Sequence, residues 1–593
     1  MDKRFAYFFS LIILLAFFGY FLVSAASINS PAWDETNGLA VGYSLLSLGD
    51  FRVNPVHPPL AFMMMAAPLK LVDRNLPVGA IADDYNYIAY SHSFFSGIEN
   101  SALDKAVFLS RLFSIILSIF LAVFVAVWAT NLYGRLSGIF ALFLFVFSPV
   151  VIGNSFVAIT DTYVSTFMFL TLFYFWRFTR SPGLMSLFVV SLFFSLTLLS
   201  KLTGLFLLPM FVILWLTSDT RAASLWLSSK AARLSQALQK LLRIPSFASL
   251  LLFMASLGAV FALISFPAYF FQFGSVESVM IPRYAVLYDE AVSDFPAPVD
   301  SLAHLAVSVP LPFPSFFVSL LQSVAISTFA EKTSFLFGEI YEGGKWQFFF
   351  FEFFLQNPIP FLILLVIAVV IMKKKPFVRK ELFLVVPPLI YFFLFLPINE
   401  NSGMIHLLPL YPFLAVFTSR LLAVHFVRKA SGIIFAASII MLSLWHASST
   451  LSIHPHEYAF FNEFVSPQNG YKYILVDRGH GLKLLKSYLD EKNIGRIPLS
   501  YFGSMDPAFY GINYDYLPSP VFQAWNPDFA PYRKDLPVDF VENCSKRIGI
   551  IAVSVTNLQN VHLLNKSCFD WLHQYEPVER IGYSIFIYNI TDA

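Results

Sequence analysis

Residues 106–130 read AVFLSRLFSIILSIFLAVFVAVWAT, an apolar run whose single charge, Arg111, stands near its N-terminal end. A helix of about 20 apolar residues crosses the hydrocarbon core of a bilayer. This run is long enough to do so with its cation left at the interface. The same texture recurs along the chain, at 6–26 after Lys3 and Arg4, then at 137–154, 161–176, 184–200, 203–217, 247–267, 358–372, 382–397, 404–419 and 431–447. Gly, Pro or charge marks the breaks. The pattern predicts a polytopic α-helical membrane protein with about eleven transmembrane helices. The first run has no convincing small-residue cleavage site before Pro31. It reads as a retained helix with a cytoplasmic N-terminus rather than a signal peptide.

Composition agrees. A chain of 593 residues that is 57% hydrophobic and 13% charged cannot hide its apolar side chains in soluble cores. The 69 phenylalanines lie in runs of Leu, Ile, Val and Ala, unlike the alternating strands of an outer-membrane barrel. A soluble enzyme, a disordered scaffold and a nucleic-acid partner are excluded. The net charge of +2 is uninformative, because the sidedness of Lys and Arg matters more than their sum.

Threading the chain alternately through the bilayer gathers Arg135, Arg177, Arg180, Arg221, Lys230, Arg233, Lys240, Arg243, Lys373 to Lys375, Arg379, Lys380, Arg420, Arg428 and Lys429 on one side. That side is cytoplasmic by the positive-inside rule. The acids Asp34, Glu35, Asp50, Asp83, Asp84, Asp289, Glu290, Asp294, Glu339 and Glu342 fall in two long loops, about 27–105 and 268–357, on the other side. Residues 1–449 are thus expected to form the membrane module. From 450 to 593 Asn, Pro and Asp become frequent, and strand-like stretches appear at Tyr471 to Val476, Ile497 to Phe502, Ile548 to Val555 and Ile581 to Tyr588, beside a helical Leu482 to Lys492. This predicts an extracytoplasmic α/β domain. Its two cysteines, Cys544 and Cys568, are either paired or two buried thiols. Sequons at Asn543, Asn565 and Asn589 fit exposure.

Charged residues at the loop-bearing face are the candidate chemistry. Asp34-Glu35 follows the first span and is either a surface carboxylate acting as general base or an acid pair in a first helical turn. His57-Pro58-Pro59-Leu60 precedes an apolar stretch read as a membrane-surface helix. Arg111 and Lys201 stand at span ends, each either a snorkelling anchor or a clamp for a lipid phosphate. Asp161, between two threonines, is a helix cap, a partner for one of those cations, or a metal ligand. His454-Pro455-His456 lacks the companions of a zinc site.

Taken in order, these residues resemble the GT-C glycosyltransferase superfamily, specifically its protein O-mannosyltransferase-like branch. The likeness runs nearly end to end. It comprises Asp34-Glu35, His57-Pro-Pro-Leu, Ser110-Arg111-Leu112, Tyr133-Gly134-Arg135, Ile159-Thr160-Asp161, Ser200-Lys201-Leu202-Thr203-Gly204, Phe337-Gly338-Glu339 with Gly343-Gly344-Lys345-Trp346, and His406 through Phe413. The stretches His454 to Glu463, Ser500 to Gly503 and Ile581 to Phe586 are similar to the outer domain of prokaryotic relatives. The resemblance implies transfer of a monosaccharide, most often mannose, from a polyprenyl-phosphate donor to a hydroxyl acceptor on a protein, glycan or lipid, with inversion. It implies the plasma membrane of a prokaryote, with the site outside the cytoplasm. It casts Asp34 as base with Glu35 supporting, Arg111 and Lys201 as donor-phosphate clamps, and His57 or His406 as an added hydrogen bond. Glu339 and Trp346 belong to its loop motif, and Asp161 is the residue on which a divalent cation, Mg or Mn, would rest. The chain departs from the pattern at Ile405, where many relatives carry Arg. It departs again after Asp477-Arg478, which passes directly to Gly479-His480.

Two other classes stand beside the transferase. A transporter or flippase would place ionisable residues within spans and show repeated halves. A catalytically silent binder of lipid-linked sugar would keep its function without Asp34.

Overall fold

The computed structural model describes residues 3–591 apart from 73–86, 97, 99, 232–244, 294–295, 330–331, 375–378, 400, 425–428 and 520–543. Asp83, Asp84, Arg233, Lys240, Arg243, Asp294, Lys375, Arg428 and Asn543 lie outside the described residues.

Every apolar run of the sequence is helical. Among the described residues, five helices are by themselves long and apolar enough to cross a membrane: Lys3–Ile28, Ala102–Tyr133, Phe247–Ala268, Met404–Ala423 and Ala430–Leu451. Three bent pairs bring the number to as many as eight: Arg135–Val146 with Pro149–Ser155, Leu202–Thr217 with Arg221–Ser229, and Gln347–Leu355 with Ile359–Met372. Proline explains the first of these bends, since Pro149 cannot donate into the preceding turn and Ser148 caps the new helix by accepting from Val151 N. The other three of the eleven expected runs form Thr160–Arg180, Leu184–Ser200 and Leu382–Phe395. Leu184–Ser200 and Leu382–Phe395 are only 17 and 14 residues long, and Thr160–Arg180 carries Asp161, five threonines and two arginines. Among the described residues, length and composition by themselves support five to eight spans. The chain is a multi-pass helical membrane protein.

Most of the long helices share a large apolar core, rich in aromatic contacts such as Trp128 with Phe169, Phe173 and Trp176, and Trp33–Leu48 and Pro59–Ala66 build a second one. After the first helix the chain turns into Trp33–Leu48, which crosses Pro59–Ala66 so closely that a β-carbon on Gly42 would stand 2.0 Å from Phe62 O. On the side gathered by the basic residues, Glu381 accepts from Tyr133 Oη at 2.9 Å and meets Arg420 Nε at 3.4 Å.

The C-terminal part carries a five-stranded mixed sheet in the order Tyr514–Tyr516, Ile497–Ser500, Gly549–Ser554, Ile585–Ile590 and Glu579–Ile581. The first three strands run parallel, and the last two pair antiparallel to their neighbours. Helix Leu482–Glu491 packs beside it. Two strand expectations need correction. Ile581 to Tyr588 is two strands, because Gly582 and Tyr583 adopt φ of 55° and 58° and reverse the chain. Tyr471 to Val476 is outside the sheet and serves the second long loop instead. Phe337 N donates to Tyr473 O at 2.8 Å, and Ile474 bridges Leu336 at the hairpin Thr333–Leu336/Glu339–Glu342. Cys544 and Cys568 are disulfide-bonded.

Candidate active site

The loop after the first helix is held by one buried ion pair. Glu35, in the first turn of Trp33–Leu48, accepts from Arg111 Nε at 2.8 Å and Nη2 at 2.7 Å, and both side chains are almost fully buried. The carboxylate also accepts from Ala32 N at 3.2 Å, closing the helix start, and from Ala158 N at 3.0 Å. Arg111 spends its remaining N–H groups on the carbonyls of Ala26, Asn29 and Ser30 at 2.6, 2.8 and 3.0 Å. All five guanidinium donors are thereby used. Arg111 is not at the head of its helix, which begins at Asn100, and no N–H remains for a phosphate. The clamp reading of Arg111 gives way to a structural one.

Glu35 inward leaves its neighbour outward: Asp34 is exposed at the same helix start. Its backbone neighbourhood is tied to the C-terminal part. Trp33 N donates to Arg478 O at 2.8 Å, Ser30 N donates to His480 O at 3.0 Å, and Ser504 Oγ donates to Trp33 O at 2.8 Å. The Trp33 ring stacks on Phe502, centroids 5.0 Å apart, and Phe502 stacks on His562. The segment after Asp477, where the chain departs from its relatives, is thus the one that docks against the first loop.

A second buried pair lies deeper. Lys201 Nζ reaches both oxygens of Asp161, at 2.7 and 2.9 Å, from the extended residue that separates Leu184–Ser200 from the following turn. His406 Nδ1 is 3.8 Å from the same carboxylate, and His406 Nε2 meets Ser402 Oγ at 2.7 Å. His57, before helix Pro59–Ala66, lies within electrostatic range of Asp161. The structure therefore gathers Asp161, Lys201, His406 and His57. The carboxylate that would bear a divalent cation is filled on both oxygens by an ammonium, and among the described residues no three His, Cys, Asp or Glu side chains are placed to hold a metal. These residues do not fit a metal centre.

A small cleft is lined by Asn154, Glu352, Ile405, Tyr458 and Arg478, among others. Tyr458, in the lining of this cleft, is within electrostatic range of Arg478, Glu35, Arg111 and Asp34. Gly403, at φ 124°, admits the Arg478 side chain: a β-carbon there would stand 2.1 Å from Nη2. Burial pushes the neighbouring Asp477 carboxyl up to about 7, against hydrogen bonds from Gly479 N and Ser554 that favour its charged form. Glu352 escaped the sequence reading, a lone acid inside QFFFFEFFL, and Arg478 entered it only as the point after which the chain departs from its relatives. Glu339 and Trp346 are elsewhere, Glu339 exposed on the hairpin and paired with Lys345 at 2.9 Å, Trp346 57% exposed. Neither lines the cleft.

Residues 51–274 match the family model described as dolichyl-phosphate-mannose-protein mannosyltransferase. No curated protein matches the chain in sequence. Among solved structures, ArnT from Cupriavidus metallidurans bound to undecaprenyl phosphate is similar at 10% identity over 97% of each chain, with a TM-score of 0.44. Archaeal oligosaccharyltransferase AglB from Archaeoglobus fulgidus, in complex with an inhibitory peptide and a dolichol-phosphate, is similar at 11% identity over 76% of this chain and 56% of that one, with a TM-score of 0.40. The family segment contains His57, Arg111, Asp161 and Lys201. The segment 51–274 is therefore similar to the family described as dolichyl-phosphate-mannose-protein mannosyltransferase, the branch that the ordered motifs resemble.

Proposed function

We propose that the protein is a membrane glycosyltransferase that moves a monosaccharide, mannose-like, from a polyprenyl-phosphate donor to a hydroxyl of a protein, glycan or lipid acceptor on the extracytoplasmic face. The observation that carries this reading is the contrast between Asp34 and Glu35. Glu35 is locked inward on Arg111, which leaves Asp34 exposed at the same helix start, within electrostatic range of Tyr458. Asp34 takes the proton of the acceptor hydroxyl, and the oxygen attacks the anomeric carbon as the bond from that carbon to the phosphate oxygen breaks. The phosphate leaves with the bonding electrons, and attack opposite to it inverts the anomeric centre. Lys201, with Asp161 fixing its ammonium, and His406 and His57 beside it, supply positive charge and hydrogen bonds for the leaving phosphate. Arg111 acts through Glu35 as a positioning residue.

The test is sugar release from radiolabelled undecaprenyl-phosphate mannose by purified protein in lipid. Asp34→Asn is expected to abolish turnover while the fold persists. Turnover at the wild-type rate in that variant would remove the base and favour a silent binder.

A further inference from the structure

At the far end of the helix that opens with Asp34, Gly49 takes the left-handed conformation, φ 66°, and its N–H closes the helix on Leu45 O at 3.0 Å. The turn beyond it forms part of the wall of a basin of about 400 Å³, whose polar lining is Asp50, Arg52, Gln272, Ser278 and Ser315. A space of this size holds a small ligand. Asp50 and Arg52 are the ionisable side chains of the lining, and they pair with each other: Asp50 Oδ1 accepts from Arg52 Nε at 2.9 Å and Oδ2 from Nη2 at 2.8 Å. The basin is therefore polar without net charge. With Arg52 N also donating to it at 3.0 Å, the Asp50 carboxylate keeps one acceptor site unused. On the second long loop, Gln272 is fixed by three hydrogen bonds: its N donates to Tyr269 O at 3.0 Å, its O accepts from Phe313 N at 2.8 Å, and its Oε1 accepts from Ser315 N at 3.2 Å. Its amide nitrogen has no partner among the described residues.

Fixed donors and acceptors with a cancelled charge, beside apolar Leu48, Phe51 and Val279, suit a neutral ligand rich in hydroxyls rather than a phosphate or an amine. A peptide finds no strand edge of useful length, since the adjoining ribbon pairs only Phe273–Gly274 with Leu311–Pro312. We infer that the basin is a saccharide subsite, in which a hexose unit of the acceptor donates one hydroxyl to Asp50 and accepts at another from the Gln272 amide. This rests on the transferase reading and narrows its acceptor to an oligosaccharide. Asp34 and Leu48 stand at opposite ends of one helix, so about 20 Å of helix separates the base from the basin. One sugar cannot lie at both places, whereas a chain of several spans them. The basin adjoins Phe270, just past membrane helix Phe247–Ala268: a β-carbon on Gly49 would stand 3.4 Å from that ring. It is thus open to a soluble glycan and to the head group of a glycolipid alike.

The test uses the full chain in lipid nanodiscs, with radiolabelled mannotetraose as the soluble probe, dimannosyl diacylglycerol as the lipid probe and a threonine-containing peptide as the rival acceptor. Saccharide binding is expected to be independent of salt, because screening acts on charged ligands. Gln272→Met and Asp50→Asn are each expected to weaken it about tenfold, the scale of one lost hydrogen bond. In transfer assays the same variants should raise KM for the saccharide acceptor with kcat retained, the mark of binding away from the reacting atoms. Thermal midpoints report folding, and Ser278→Trp, which fills the basin from an exposed position, carries the test if the others fail to fold. Binding of mannotetraose supports a soluble glycan, and binding of the lipid probe alone supports a head group. Folded variants that bind the saccharides as the wild type does, or a wild type that binds neither, would overturn the inference. Transfer to the peptide that all three variants leave untouched would overturn it too, with the transferase reading intact. Saccharide binding that needs the basin, without transfer to any acceptor, would instead sink the transferase reading and leave the subsite standing.

Discussion

Arg111 holds Glu35 by two parallel hydrogen bonds of 2.8 and 2.7 Å, and three backbone carbonyls take the rest of its donors. The pair joins the second long membrane helix to the loop that displays Asp34. Removing one partner leaves a buried charge uncompensated, which costs about 3–5 kcal/mol. Arg111→Met is expected to lower the thermal midpoint and the folded yield in detergent, read by tryptophan fluorescence and gel filtration. A stable variant with only a raised KM for the donor would mean that Arg111 touches the phosphate after all.

The Asp161–Lys201 pair carries the second expectation. Because Lys201 occupies both carboxylate oxygens, turnover should be unchanged by EDTA. Loss of turnover in EDTA, restored by Mn or Mg, would show that a cation displaces the ammonium. Lys201→Met should lower kcat by about a hundredfold, the scale on which single electrostatic donors act on a leaving anion.

Asp477 gives a pH dependence outside the spans. Its carboxyl is raised from an ordinary 3.8 to about 7, chiefly by burial. The folded protein thus keeps a proton that the unfolded chain has released, and stability falls as pH rises between those two values. Midpoints of chemical or thermal unfolding should decline from pH 5 to pH 8, and Asp477→Asn should flatten that decline. An equal slope in both proteins would rule out Asp477 as its source.

The disulfide Cys544–Cys568 closes a loop that contains the strand Gly549–Ser554 of the C-terminal sheet. Protein purified without reductant and denatured is expected to take up no maleimide, and both cysteines should label after reduction. Labelling without reductant would place this part of the chain in a reducing compartment.

Asp34, Glu35, His57, Arg111, Asp161, Lys201 and His406 were all legible as candidates, because a charge near the end of an apolar run is conspicuous. Their roles were not. Whether Arg111 meets a phosphate or a carboxylate depends on what residue 35, distant in sequence, brings within 3 Å. Glu352 was hidden by its surroundings, since one acid among phenylalanines reads as part of an apolar helix until its neighbours in space are known. Arg478 was noticed only as a departure, and its place above Gly403 depends on a contact across more than seventy residues.

The sequence by itself determined that the chain is a multi-pass helical membrane protein, since hydrophobic run length is a local property measured against a bilayer of set thickness. Short motifs in a shared order also pointed to the family whose model matches residues 51–274. Only the tertiary structure decided that several runs are bent or short, that Tyr471 to Val476 leaves the sheet, and that Glu35 turns inward while Asp34 turns out. Those outcomes rest on hydrogen bonds and ion pairs between residues far apart in the chain, which low-dielectric burial makes strong and which no local pattern encodes.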